Sequence, residues 1–68
     1  MLPSLGAQRR AIRALERRFG QSIMPYAFTY RRQTGAYRVT DGESGSWLEF
    51  QLSSTGRLIV TAEYDGAA

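Results

Sequence analysis

Along residues 5–19 the apolar positions Leu5, Ile12, Leu15 and Phe19 recur at helical spacing, and from Pro25 onward apolar and polar residues alternate. The first period marks an amphipathic helix with one buried stripe, and the second marks strands with one buried face. Ser4 stands at an N-cap position and Gly20 at a helix stop, so the pattern predicts a helix over about 5–19 with Ala11 at the margin of its stripe. Four alternating runs follow, YAFTYR, AYRVT, WLEFQLS and RLIVTAEY, joined through RQTG, DGESG and STG. Glycine-bearing connections this short join antiparallel neighbours. The expected fold is α+β, with one N-terminal amphipathic helix packed on a four-stranded antiparallel β-sheet in meander order. The strands are expected at about 25–32, 36–41, 46–53 and 57–65, within one small domain spanning 1–68.

Side-chain matching predicts the register. Pairing Tyr30 with Tyr37 and Phe28 with Val39 closes the first hairpin. Pairing Val39 with Leu48 and Tyr37 with Phe50 closes the second and sets Arg38 opposite Glu49. In the third, Leu52 meets Leu58, Phe50 meets Val60 and Leu48 meets Ala62. One face then carries Phe28, Tyr30, Tyr37, Val39, Leu48, Phe50, Leu52, Leu58, Val60 and Ala62, and suits the helix stripe. The opposite face carries Thr29, Arg31, Arg38, Trp47, Glu49, Gln51, Ile59, Thr61 and Glu63, and a single helix leaves it open. Trp47 on that face is either an interaction anchor or folds over the neighbouring strand or under the C-terminal tail. The last strand is an apolar edge, so a homodimer through the sheet edge or the open sheet face is a further candidate.

Composition narrows the class. A hydrophobic fraction of 43% with one tryptophan, four tyrosines and three phenylalanines is too apolar for a disordered chain. No apolar run approaches the ~20 residues that span a bilayer, and MLPSLGAQRR has no apolar signal region. A cytoplasmic protein without membrane contact is expected. With no cysteine or histidine, disulfides, thiol nucleophiles, the commonest general base and nearly all transition-metal sites are excluded. The serines lack a conventional activating base. DGESG lacks the ligand spacing of a calcium loop and reads as a turn. No phosphate-binding glycine loop occurs. No catalytic residue, metal or cofactor is therefore expected, and the protein reads as a non-enzyme.

Charge supplies the remaining handle. Net charge is only +3, but residues 1–40 hold eight of the nine arginines with a single acid, Glu16, whereas residues 41–68 hold Arg57 and five acids. All basic residues are arginine, as bidentate carboxylate or phosphate partners would favour, and as arginine-rich codon usage would also give. Arg9, Arg13 and Arg17 form an i, i+4 row beside Arg10 on the wet helix face, where like charges repel. Arg31 and Arg32 lie at the first hairpin tip. The candidate partner-binding set is Arg9, Arg10, Arg13, Arg17, Arg31, Arg32, Arg38 and Trp47. Its candidate partners are an acidic protein or ribonucleoprotein surface and nucleic acid; solubility alone also explains arginines on a wet helix face.

The segment SWLEFQLSSTGRLIVTAEYD resembles the last hairpin of bacterial toxin-immunity families, with a tryptophan strand, a TG turn and a strand ending in EYD. The small αββββ plan without cysteine is similar to phage-encoded inhibitors of the anti-CRISPR type, a resemblance that implies occlusion of a protein or ribonucleoprotein surface. Neither resemblance assigns a role to any residue. The expected function is a small non-enzymatic binding protein that inhibits or regulates a macromolecular partner by covering its surface, a phage or mobile-element inhibitor. Sequence-tolerant nucleic-acid binding through the arginine helix and toxin immunity are the alternatives.

Overall fold

Ser4 opens the helix with its hydroxyl, which accepts from the Ala7 amide at 3.2 Å, and Gly20 closes it in the left-handed region at φ 81°, a conformation glycine adopts without a Cβ penalty. In the computed structural model, which describes residues 2–20 and 26–67, these caps delimit α1 at Leu5–Phe19. Four strands follow: β1 (Tyr26–Arg31), β2 (Ala36–Asp41), β3 (Trp47–Leu52) and β4 (Leu58–Tyr64). They form one antiparallel sheet in the order β1-β2-β3-β4, with α1 packed against β2, β3 and β4. The expected α+β meander is the observed fold. The expected start of the first strand at residue 25 lies outside the described residues.

The first two hairpins take the expected register, with Phe28 opposite Val39, Tyr30 opposite Tyr37, Arg38 opposite Glu49 and Tyr37 opposite Phe50. The third departs from it. Leu52 meets Leu58 and Phe50 meets Val60 as expected, but Glu49 then meets Ala62, and Thr61 is left over as a β-bulge. One extra residue turns every later side chain of β4 to the opposite face. Leu48 therefore faces Glu63, not Ala62. Glu63 comes to the helix side of the sheet, Ala62 joins the open face, and Tyr64 comes alongside Trp47.

Ala11, Leu15, Val39, Leu48 and Phe50 form the buried cluster, with Ile12, Ala14, Phe19, Phe28, Tyr37, Leu52 and Leu58 packed around it. Two helix expectations change. Ala7 and Ala11 are buried at the centre of the contact, because small side chains let the helix approach the sheet closely. Leu5 is 71% exposed in the first turn, so it does not belong to the buried stripe. On the sheet, Tyr30 and Val60 are only partly covered, at 39% and 44% exposed, although both face the helix side. The radius of gyration of 11.1 Å is that of a single packed unit of this length, for which about 11 Å is expected.

The DGESG turn is closed from within. Both carboxylate oxygens of the fully buried Asp41 are engaged, one by the Glu43 amide at 3.0 Å and the other by the Ser44 amide at 3.0 Å and the Ser44 hydroxyl. Burial pushes this carboxyl up, but those three donors outweigh it and hold Asp41 below the ordinary carboxylate value. Ser44 Oγ is also hydrogen-bonded to the Ser46 hydroxyl at 2.8 Å, and Ser46 Oγ accepts from the Gly66 amide at 2.9 Å, so the turn holds the chain that follows β4.

Candidate functional site

The helix turns ~100° per residue, which places Arg9, Arg13 and Arg17 on the arc opposite the buried Ala11, with Arg10 on one flank of that arc and Glu16 on the other. All four arginines are exposed. Arg10 donates to the Gly56 carbonyl at 2.9 Å, which ties the start of this ridge to the β3–β4 turn beside the exposed Arg57. Among the described residues, no carboxylate pairs with Arg9, Arg13 or Arg17. Glu16, the helix's one acid, is half-buried on the flank and has its own partner.

Arg18 belongs to a different surface. It lies on the meridian of Ala11 and Leu15, near the helix end, and its Nε meets Glu63 Oε2 at 2.6 Å. The hydrogen bond and charge of Glu63 raise its pKa above the ordinary arginine value. This pair forms because the bulge at Thr61 turned Glu63 toward the helix. Beneath it lies a cavity of about 310 Å³ lined by Ala14, Arg18, Leu48, Val60 and Glu63.

The open sheet face carries its own cluster. Arg38 donates from Nε at 3.1 Å and from Nη2 at 2.7 Å to Glu49 Oε2, and its guanidinium lies 3.8 Å from the ring centre of Trp47. Arg31 Nε approaches the same carboxylate oxygen at 3.5 Å. Trp47 is half-buried and stacks on Tyr64 of the neighbouring strand, with centroids 6.1 Å apart. Of the alternatives open for Trp47, it thus leans over the adjacent strand. Tyr30 and Tyr37 face the helix side, where Tyr30 lies tilted against Tyr37 and Tyr37 stacks on Phe50.

The candidate residues therefore divide between two opposite surfaces. Arg9, Arg10, Arg13 and Arg17 crest the helix, while Arg31, Arg38 and Trp47 share the open sheet face, and Arg32 is exposed in the β1–β2 turn. The acids divide as well. Asp41 and Glu49 are buried, Glu63 is exposed but paired with Arg18, and among the described residues of 41–68 only Glu43 and Asp65 remain exposed acids without an ion pair. The separation of a basic first half from an acidic second half is thereby reduced at the surface, and the helix crest keeps its charge.

Sequence reasoning missed Arg18, Arg57 and Tyr64. Arg18 was legible from its i+3 and i+7 spacing to Leu15 and Ala11, whereas the proximity of Arg57 to the crest depends on a backbone carbonyl that no pattern reports. Among the described residues no group of three or more acidic side chains lies close enough to hold a metal ion, and no helix is long and apolar enough to cross a membrane. The chain matches no family model, no curated protein and no solved structure.

Proposed function

We propose that this is a non-enzymatic binding protein that docks through the crest of α1 onto a negatively charged macromolecular partner and inhibits or regulates it by covering that surface. The observation that carries this reading is the crest: Arg9, Arg13 and Arg17 are exposed without a carboxylate partner among the described residues, while Glu49 and Glu63 are engaged elsewhere. A row of like charges destabilises an isolated helix by a few tenths of a kcal/mol for each pair, and an opposite charge from outside would relieve it. A small rigid body can shield a working surface without chemistry of its own. The specific form proposed is a phage or mobile-element inhibitor of the anti-CRISPR kind, supported by size, architecture and the lack of histidine and cysteine.

The test is capture with matched baits: the wild type, the Arg9→Glu/Arg13→Glu/Arg17→Glu variant, and Ile59→Ser on the open sheet face. One macromolecule retained by the wild type and by Ile59→Ser, released by salt, absent from the reversed crest and losing activity as it is bound, is the expected result. Equal retention by wild type and reversed crest contradicts the reading.

A further inference from the structure

We infer that the anionic surface the α1 crest fits is the phosphodiester backbone of a nucleic-acid strand. The inference rests on the docking reading above and specifies its partner. Successive members of the row Arg9, Arg13 and Arg17 are four residues apart, which is ~6 Å along the helix axis. That rise is comparable to the separation of neighbouring phosphates along one strand, so the three guanidinium groups are spaced to meet successive phosphates as the row turns by ~40° at each step. Arg10, beside the row and held to the Gly56 carbonyl, brings the β3–β4 turn and Arg57 to the start of the same line. Guanidinium groups suit this contact because their planar donor fork matches two phosphate oxygens.

The composition of the crest favours phosphate over a protein surface. A stable protein interface needs a desolvated apolar or aromatic centre. On the outer arc the residues are Gly6, Arg9, Arg13 and Arg17, bordered by Arg10 on one side and by Glu16 and the exposed Leu5 on the other, and the remaining exposed apolar side chain nearby, Leu2, lies ahead of the helix. Backbone contact with nucleic acid needs only cations and counterion release, with no apolar centre and no base-reading groups. The exposed acids Glu43 and Asp65 belong to the sheet layer, and Glu16, which borders the row, is half-buried and has its own partner, so the row itself holds cations alone.

Anisotropy of labelled duplex and single-stranded DNA and RNA, titrated with the full chain across a salt series, tests this. Four phosphate contacts give a log–log salt slope of about −3.6, or about a 100-fold loss of affinity over a fourfold rise in salt. Arg13→Glu should flatten the slope by about 1, and Arg32→Glu, an equal charge change off the crest, should leave it within about 0.3. Circular dichroism confirms that both variants are folded. Equal effects of the two variants would overturn the inference, because binding would then follow net charge and not the row. A polyglutamate probe separates the two failures. Polyglutamate bound through the crest, with no nucleic acid bound at low salt, overturns the phosphate assignment and leaves the docking reading standing. Neither probe bound overturns both.

Discussion

Replacing Arg38 by alanine removes the centre of the open sheet face and should destabilise the protein by about 2 kcal/mol. Arg38 makes two hydrogen bonds to one oxygen of Glu49, a carboxylate on a residue only 9% exposed. Hydrogen bonds to a charged partner contribute about 1.5–3 kcal/mol, and a guanidinium over tryptophan adds about 0.5–1 kcal/mol at a partly exposed site. The sum is lowered because the Arg38 side chain remains 26% exposed and Arg31 stays 3.5 Å from the same oxygen. A domain of 68 residues has about 3–10 kcal/mol of stability in all, so the melting temperature should fall by about 8–16 °C. The assay is urea unfolding followed by far-ultraviolet circular dichroism, since Trp47 fluorescence would itself respond to loss of the guanidinium. Arg13→Ala on the crest is the reference and should stay within about 0.5 kcal/mol of wild type. A double-mutant cycle with Glu49→Gln should show about 1–2 kcal/mol of coupling. Equal stability of Arg38→Ala and Arg13→Ala would refute the division of the arginines into internal and docking groups.

Other perturbations test other parts of the fold. Asp41→Asn should lower the melting temperature at neutral pH, and its difference from wild type should shrink in acid. A carboxyl held below its unfolded value of about 3.9 stabilises the fold above that pH, and the stabilisation is lost as pH falls through the lower folded value; thermal melts between about pH 2 and 7 read this directly. Gly66→Ala should release the chain after β4, because a Cβ there would run into the Ser44 carbonyl; faster amide exchange at position 66 and a lower melting temperature are expected, and unchanged exchange would exclude the close approach. Leu15→Ala should destabilise by about 2–5 kcal/mol in chemical denaturation, whereas Leu5→Ala should change stability by less than about 0.5 kcal/mol.

The pattern of residues disclosed the helix, four strands and two hairpin registers because large side chains such as Phe28, Val39, Leu48 and Phe50 leave few consistent pairings. It failed at Thr61. Threonine and Ala62 fit either face of a sheet, so a one-residue surplus between Val60 and Glu63 leaves no trace in the alternation. That surplus decides where Glu63 points and what Arg18 binds. Ala11 misled for a related reason, since a small residue marks close packing as readily as an indifferent margin. The crest was legible because helical spacing alone places Arg9, Arg13 and Arg17 in one row. The pairing of Arg38 with Glu49 was also visible in the register. What escaped was the stacking of Trp47 on Tyr64, which depends on the bulge having turned Tyr64 to the open face.

The most direct test of the crest as the docking surface is side-chain nitrogen–proton NMR of the arginine Nε groups during titration with duplex nucleic acid. In the free protein Arg18 and Arg38 Nε–H groups donate to carboxylates, so their signals should be displaced and slow to exchange, while those of Arg9, Arg13 and Arg17 exchange quickly. On titration the account predicts that Arg9, Arg13 and Arg17 shift and gain protection while Arg18 and Arg38 keep their positions. Shifts confined to Arg31, Arg38 and the Trp47 indole would move the docking surface to the open sheet and contradict it.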